Sequence, residues 1–396
     1  MMRFSLLFVS AILMAQPVPL EQAWDLLGKG QRQQAAAVVR RIIEANPRDG
    51  EARLFLGSLL TEDRAFLEAI AQLREAVRLL PRSAEAHNAL GEALAGAGDS
   101  KGARSAFERA VALKPDFAEA HAALGLILLE AGESKGAAAH LDRAIRIFGD
   151  SPEAAQPHYL RAKIYADSND QENAEAELKK AVALQPEFPE AWSDLGQARK
   201  AMLDDDGALT AFRRSVQLDP ENAIGQYRLG TELLQRGESV EAEKHLRESY
   251  RLNPRNQSTL NSLQMALGEN GKTEEAARIR RELAALLREI DRESQSAFTA
   301  LRLNNEGAAL EKSGDLLAAL SKYREAVALD PEHAGFHLNF GVALLRLGQW
   351  KEGLAELREA ARRDPENALI RTALTDALEQ APVEFGGKGK GRAKGK

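Results

Sequence analysis

Residues that could do chemistry are few in this sequence, and their spacing argues against catalysis. Gly271-Lys272-Thr273 is similar to the end of a phosphate-binding loop. That loop needs a further glycine five residues before Gly271 and a preceding β-strand. Ala266 occupies the glycine position, and residues 260–267 have the pattern of a helix. We therefore interpret the stretch as a turn between two helices, with Thr273 as a helix cap.

Seven histidines and a run of aspartates raise the question of a metal site. Asp204-Asp205-Asp206-Gly207 lacks the alternate spacing of a calcium loop, and we expect it to cap a helix. No serine-hydrolase elbow or zinc-protease motif is present. Four histidines share one position of a repeat with a tryptophan, which indicates packing rather than metal binding: His87, His121, His158, His337 and Trp192. We expect no catalytic residue, no metal and no cofactor.

Composition limits the class of protein. The chain has 396 residues, of which 44% are hydrophobic and 28% charged, so it can bury a large core. It has no cysteine, which excludes disulfides, thiolate nucleophiles and cysteine-ligated zinc. The formal charge is −6, and without Arg3 and the five cations of the last eleven residues it is −12. An acidic body of this kind argues against specific nucleic-acid binding.

The two ends differ from the rest of the chain. Arg3, the apolar run 4–14 and Ala15 are typical of a secretory signal peptide over residues 1–15. We expect cleavage near Ala15 and an exported protein, periplasmic or secreted. An uncleaved anchor and a buried first helix are the alternatives. Residues 381–396 are predicted to form a disordered basic Gly/Lys tail, which is either a solvated end or a weak electrostatic contact to anionic envelope polymers.

Proline marks a regular repeat along most of the chain. Nine prolines follow one another at intervals of 34, 34, 37, 34, 34, 34, 77 and 34 residues: Pro47, Pro81, Pro115, Pro152, Pro186, Pro220, Pro254, Pro331 and Pro365. Within residues 84–115, apolar side chains recur at helical spacing twice, on either side of Gly96 and Gly98. Each unit is therefore predicted to be a pair of antiparallel helices. Because one pair cannot cover its own apolar faces, the pairs must stack.

This pattern resembles the tetratricopeptide repeat family. The family's motif residues stand in order in one unit as Trp192, Leu195, Gly196, Ala208, Phe212 and Pro220, and in another as His87, Leu90, Gly91, Leu94, Ala103, Phe107, Ala110 and Pro115. The resemblance covers roughly residues 16–380. It implies an all-α fold, a right-handed α-solenoid of about ten helix-turn-helix repeats closed by a C-terminal capping helix.

The repeats set the predicted domain boundaries. Units begin near Gln16, Gly50, Ala84, Ala118, Ala155, Pro189, Ala223, Gln257, Ala300 and Ala334, and the first and eighth are degenerate. Units one to eight form a block over residues 16–271. Residues 300–380 hold units nine and ten with the capping helix.

Between the blocks, residues 272–299 contain no glycine or proline and are predicted to form a lengthened helix. It carries a heptad-like seam of Ala276, Ile279, Leu283, Leu286, Ile290 and Ala297. Two interpretations stay open for this helix. It is either a joint between two blocks or a coiled-coil surface for a homo-oligomer.

In the family that the chain resembles, the first helix of each unit lines a concave groove. Ligand contacts usually come from its second, fifth, ninth, twelfth and thirteenth positions. Carried over, these positions give candidate groove residues: Asn88, Glu92, Tyr159, Lys163, Ser193, Gln197, Lys200, Tyr227 and Thr231. Glutamates dominate the third and fourth units, whereas Lys163 and Lys200 stand in the fifth and sixth. We therefore expect a groove whose charge changes sign, with the tyrosines as anchors for an extended partner.

The resemblance predicts a non-catalytic, exported scaffold that binds an extended segment or a helix of a protein or peptide partner. No unit carries the lysine–asparagine pair of the chaperone-binding members, which argues against that type of clamp. Two alternatives are kept. One is a self-associating assembly subunit, and the other is an accessory protein of an envelope enzyme or polysaccharide complex.

Overall fold

A computed structural model describes residues 20–382 of the chain, and in that part every regular element is helical. The predicted signal peptide and most of the predicted tail lie outside the described residues. The chain divides into two compact units, Met1–Pro254 and Arg255–Lys396. The eighth repeat belongs to the second unit, whereas the sequence grouped it with the first block.

Seven helical hairpins make up the described part of the first unit. Their helices are α1 (Leu20–Gly28), α2 (Arg32–Ala45), α3 (Gly50–Glu62), α4 (Phe66–Leu79), α5 (Ala84–Gly96), α6 (Ser100–Leu113), α7 (Ala118–Glu130), α8 (Ser134–Phe148), α9 (Ala155–Asp167), α10 (Gln171–Leu184), α11 (Pro189–Ala201), α12 (Asp205–Leu218), α13 (Ala223–Gln235) and α14 (Ser239–Leu252). A short 3₁₀ turn, Pro152–Ala154, precedes α9. The three extra residues of the 37-residue interval lie before this turn, around residues 149–151.

The second unit is built from the same hairpins, with one exception. Its helices are α15 (Gln257–Glu269), α16 (Thr273–Ser313), α17 (Leu316–Leu329), α18 (Ala334–Arg346), α19 (Trp350–Arg363) and α20 (Ala368–Gln380). The predicted C-terminal capping helix is α20. The exception is α16, whose 41 residues serve as the second helix of repeat eight and continue as the first helix of repeat nine.

Glycine lets the two helices of most hairpins approach closely. A Cβ atom at Gly91 would lie 2.6 Å from Phe107, and one at Gly196 would lie 2.5 Å from Phe212. Real Cβ atoms do not come so near to another heavy atom, so these positions exclude larger residues. Phe107 and Phe212 are fully buried as a result. Gly91 and Gly196 are motif residues of their units, and both lie at helix–helix contacts.

Side-chain caps begin several of the helices. Asp99 Oδ1 accepts the Gly102 amide at 2.9 Å, and Asp204 Oδ1 accepts the Gly207 amide at 3.0 Å. The aspartate run is therefore a helix cap, as predicted. Thr273 was expected to cap α16, but it is the first helical residue, and Lys272 precedes it without a side-chain cap. That prediction was wrong, because the turn through Gly271 (φ +74°) places the helix start one residue away from the expected position.

The apolar seam of the long helix is partly buried within its own unit. Ile279 and Leu286 are each 7% exposed, and the first part of α16 packs against α15. Ile290 and Ala297 are exposed further along. Two of the six seam residues are therefore buried inside the repeat stack, and the seam is not a continuous free surface. The later part of α16 packs against α17, where Gly307 meets Tyr323.

Candidate functional site

The nine predicted groove residues all lie on first helices of the first unit. The structure buries Asn88 and Ser193, half-buries Tyr159, Lys200, Tyr227 and Thr231, and exposes Glu92, Lys163 and Gln197. Thr231 is satisfied internally, because its hydroxyl donates to backbone carbonyls of the preceding turn at 3.0 Å. Neighbouring first helices contact one another, as α3 does α5 and α7 does α9. The residues fall into two regions with different surroundings.

We call the first region the charge-paired surface, and it is formed by the first helices of repeats five to seven: α9, α11 and α13. Lys200 forms an ion pair with Glu232, whose side chain is only 1% exposed, and also donates to Gln235. Arg228 Nη1 donates to Asp194 at 2.8 Å and to the Ser193 hydroxyl at 2.6 Å. Two cations of this surface are therefore neutralised by carboxylates of the next or the previous repeat. Lys163 is the exception, because it has no ion pair with a described residue. Its Nζ lies 5.8 Å from the centre of the Tyr159 ring.

A shallow cavity of about 220 Å³ opens on the charge-paired surface, and its lining includes Lys163, Gln197 and Arg228. Tyr159 stands nearby, with its ring centre 4.9 Å from that of Phe188. Burial, reinforced by the Asp194 carboxylate, raises the pKa of Tyr159 above its ordinary value. The phenol therefore stays protonated, with its O–H donated to the Asp194 carboxylate, beside an apolar ring.

The second region is a cavity of about 400 Å³ on the first helices of repeats one to three: α1, α3 and α5. We call it the acid-rimmed cavity. Its apolar lining comprises Leu20, Trp24, Leu27, Leu54, Phe55, Leu59, Ala89 and Phe117. Trp24 packs edge-on against Phe55 with ring centres 4.5 Å apart, yet it stays 58% exposed. A large apolar opening with an exposed tryptophan is a feature of binding surfaces, because monomers otherwise tend to cover such side chains.

Carboxylates surround this apolar lining. Four glutamates contribute to the cavity wall: Glu51, Glu62, Glu85 and Glu92. Arg32 pairs with Glu62 at 2.5 Å and Lys114 pairs with Glu85 at 3.3 Å. Glu92 accepts only from Asn88 Nδ2, at 2.8 Å. Although Glu92 is in contact with solvent, protein atoms of the concave wall displace much of its hydration. This desolvation, together with the charges of Glu119 and Glu62, raises its pKa.

Asn88 is the polar residue beneath this rim. It is 8% exposed, and its Oδ1 atom has no hydrogen-bond partner. A buried carbonyl oxygen left without a donor costs about 1–3 kcal/mol. Among the described residues no other buried side-chain polar atom lacks a partner.

The sequence reasoning found only part of the acid-rimmed cavity. It named Asn88 and Glu92, but it did not extend the groove positions to the first two repeats, since the first was treated as degenerate. The signal was available. Leu54, Ser58 and Glu62 are the fifth, ninth and thirteenth residues from Gly50, and Leu20 and Trp24 are the fifth and ninth from Gln16. The same register therefore locates the apolar lining as well.

The position that histidines share with Trp192 has a hydrogen-bonding role as well as a packing role. In repeat after repeat, its N–H group donates to the carbonyl of the proline six residues earlier. The distances are 3.0 Å from His121 to Pro115, 2.9 Å from Trp192 to Pro186, 2.8 Å from Gln226 to Pro220 and 2.9 Å from His337 to Pro331. Histidine, tryptophan and glutamine share this position because each carries an N–H donor at the same reach.

The other end of this side chain reaches the second helix of its own repeat. Partners lie nineteen residues later, as in His158 Nδ1 to Glu177 at 2.6 Å and His337 Nδ1 to Glu356 at 2.6 Å. Burial alone would raise the pKa of Glu177, but hydrogen bonds from His158, Lys180 and Arg161 hold it at about 2. The packing interpretation of the histidines was therefore incomplete, because they tie the hairpins together through polar contacts.

Between residues 20 and 382, no cluster of three or more histidine, aspartate or glutamate side chains has the geometry to hold a metal ion. Within the same residues, no helix combines the length and apolar character needed to cross a membrane.

Comparison with family models identifies the class of protein. Tetratricopeptide repeat models match residues 20–84, 64–116, 88–152 and 195–257, a further one matches 310–377, and another matches 162–202. The chain therefore belongs to the tetratricopeptide repeat family, and it is an all-α repeat solenoid. Proteins of this family bind protein or peptide partners and are typically non-catalytic scaffolds.

Individual relatives resemble parts of the chain. The heat-shock protein cognate co-chaperone sgt12 of Aspergillus fumigatus is 32% identical over 84 residues, which is 21% of this chain and 25% of that protein. The match thus spans about a quarter of the relative's length.

Two solved structures are similar to the chain. The structure of pilF from Pseudomonas aeruginosa has a TM-score of 0.51 and 19% identity, and the match covers 55% of this chain and 98% of that one. A tetratricopeptide repeat protein from Parabacteroides merdae has a TM-score of 0.47 and 14% identity, covering 63% of this chain and 97% of that one. At these identities the likeness concerns the fold alone.

Proposed function

We propose that the protein is an exported, non-catalytic interaction scaffold that holds a segment of a partner protein against the first helices of its first unit. The observation that carries this proposal is the acid-rimmed cavity. It combines about 400 Å³ of mainly apolar space with a tryptophan left 58% exposed. The charge-paired surface extends the same face through repeats five to seven and offers Tyr159, Lys163 and Gln197 for further contacts.

The packing of the repeats supports this mode of binding. Five of the seven first helices contact their own second helix through a closely packed glycine, and each first helix packs in a hairpin that contacts its neighbour. A preformed surface loses little conformational entropy on binding, so several weak contacts can add to a useful affinity. The partner of the co-chaperone relative is not carried over, because the match covers a small part of each chain.

Site-specific photo-crosslinking tests the face. A photoreactive residue at Ser58 or Gln197, on first helices, is compared with one at Ala112 or Ala183, which are exposed on second helices. We expect the first two positions to capture a common partner in native envelope preparations and the last two to capture little of it. Equal capture from all four positions, or capture from the second helices alone, would contradict the proposed face.

Export is a separate part of the proposal. It is supported by Arg3, the apolar run 4–14 and Ala15 in the sequence. N-terminal sequencing of the native protein should give a start at or close to Gln16. Recovery of Met1 in a soluble cytosolic fraction would contradict export and leave the binding face unaffected.

A further inference from the structure

We propose that the acid-rimmed cavity binds a cationic peptide segment, with one large apolar side chain in the cavity and lysines or arginines beside it. This inference rests on the proposed function and specifies the partner for that site. It differs from the expectation drawn from the sequence, which placed an acidic partner residue near Lys163 and Lys200.

The apolar part of the partner is set by the lining of the cavity. Leu20, Trp24, Leu54 and Phe55 present hydrocarbon to a space of about 400 Å³. A phenylalanine, tryptophan or leucine side chain fits such a space, and its burial supplies most of the affinity expected from a short peptide.

The charge of the partner is set by the rim. Five glutamates lie in or near it, and the structure supplies two cations, Arg32 on Glu62 and Lys114 on Glu85. Glu51, Glu92 and Glu119 have no ion pair with a described residue. Glu92 is desolvated among like charges, so a cation placed beside it would relieve an existing repulsion.

Asn88 adds an observation that is independent of the charges. It is more than nine-tenths buried in the cavity wall, and its Oδ1 lacks a donor. A backbone amide or an ammonium group of a bound peptide would supply the missing donor after a small shift of the Asn88 side chain. The site is thus short of both positive charge and a hydrogen-bond donor, and a cationic peptide carries both.

A second copy of this chain is a poorer occupant. Without its terminal cations the chain has a formal charge of −12, so its body would be repelled by an acidic rim. The five cations at the end of the chain itself stand in residues 386–396, a stretch that has no large apolar side chain to fill the cavity. We therefore infer that the partner is a different protein with a basic segment.

Three synthetic heptapeptides provide the test with the full-length protein. GKKFKKG carries both features, GKKSKKG lacks the anchor, and GEEFEEG reverses the charge. Fluorescence anisotropy should show GKKFKKG binding about tenfold or more tighter than either of the others, since losing one buried aromatic side chain or reversing the charges costs at least that much. The affinity of GKKFKKG should fall as salt concentration rises, because exposed charges are screened.

Matched variants locate the binding. Ser58→Phe fills the cavity and should lower the affinity for GKKFKKG about tenfold or more. Gln197→Phe is its control, since it places the same side chain at the ninth position of repeat six. The double variant Glu51→Gln/Glu92→Gln should weaken binding about two- to fivefold per charge. Glu130→Gln is its control, since it removes an exposed charge from α7 outside the cavity.

Each outcome decides the proposal. Equal or tighter binding of GEEFEEG, unchanged binding to Ser58→Phe, or no binding of any heptapeptide would overturn it. Dimerisation that Ser58→Phe abolishes would identify a second copy as the occupant and would also overturn it. In all these cases the scaffold function still stands if crosslinking from the first helices captures a partner, so the two failures are distinguishable.

Discussion

The charge-paired surface and the acid-rimmed cavity occupy equivalent positions of different repeats, yet their charges have different uses. In repeats five to seven, the cations Lys200 and Arg228 are bound by Glu232 and Asp194 of neighbouring repeats. In repeats one to three, Glu51 and Glu92 face the groove without a cation from the described residues. The same groove positions therefore carry charges that are paired between repeats in the charge-paired surface and carboxylates without a cation in the acid-rimmed cavity.

This difference shows that a charge at a groove position is available to a ligand only when no neighbouring repeat has bound it. Repeats bring residues about 34 positions apart into contact, as in Lys200 with Glu232 and Arg228 with Asp194. Scanning groove positions one repeat at a time misses these pairs. The predicted change of sign along the groove should therefore be weaker than the residue types indicate.

The largest expected effect comes from unfolding the repeats of the charge-paired surface while those of the acid-rimmed cavity stay folded. Gly196→Leu places a side chain into Phe212, which a Cβ atom alone would approach to 2.5 Å. We expect a loss of about 3 kcal/mol, the upper end of the cost of overpacking. Hydrogen exchange should show reduced protection centred on residues 155–254, whereas the first repeats keep theirs and still bind GKKFKKG.

The control for this variant is Gly268→Leu. Gly268 lies near the end of α15, and a Cβ atom added there would have no neighbouring atom within 4 Å. The same substitution should therefore change stability by about 0.5 kcal/mol or less. A uniform loss of protection along the chain in Gly196→Leu would show that the repeats do not melt separately.

A second, smaller effect separates the two lysines of the charge-paired surface. Lys200→Met leaves Glu232 buried without its cation and should cost on the order of 2 kcal/mol. Lys163→Met removes an exposed charge that has no ion pair among the described residues, and it should leave the stability within about 0.5 kcal/mol of the parent. Thermal unfolding of both variants measures the difference, and equal melting temperatures would remove the distinction between structural and available cations.

Much of the fold follows from the sequence because the repeat signals are local. Proline follows the second helices, glycine permits most helix crossings, and the 34-residue register gives helix starts at Gly50, Ala84 and Ala118, as the structure has them. The register fails at α16, where the expected break near Ala300 is absent. No glycine or proline lies between Lys272 and Glu306, so nothing interrupts the helix.

The site was less predictable for a physical reason. Positions five and nine name the residues that face the groove, but cavity shape depends on neighbours across three helices. Trp24 and Phe55 meet only when α1 packs beside α3, and the ion pair of Lys200 needs α13. Likewise, the shared role of His121, Trp192 and Gln226 as donors to a proline carbonyl is visible only in three dimensions.

The smallest expected effect is a pH dependence of peptide binding at the acid-rimmed cavity. The pKa of Glu92 is raised by desolvation and by the charges of Glu119 on α7 and Glu62 on α3, so this carboxyl takes up a proton at a higher pH than an ordinary glutamate. A protonated Glu92 no longer attracts lysine, and lysine itself stays charged throughout this range. The affinity for GKKFKKG should therefore fall as pH decreases from neutral towards 5, by about two- to fivefold for one exposed charge pair. Glu92→Gln should start with the lower affinity and lose most of this pH dependence, whereas Glu130→Gln should keep the parent's profile. If Glu92→Gln titrates as the parent does, Glu92 is not beside the bound cation, and the attraction must come from another carboxylate of the rim.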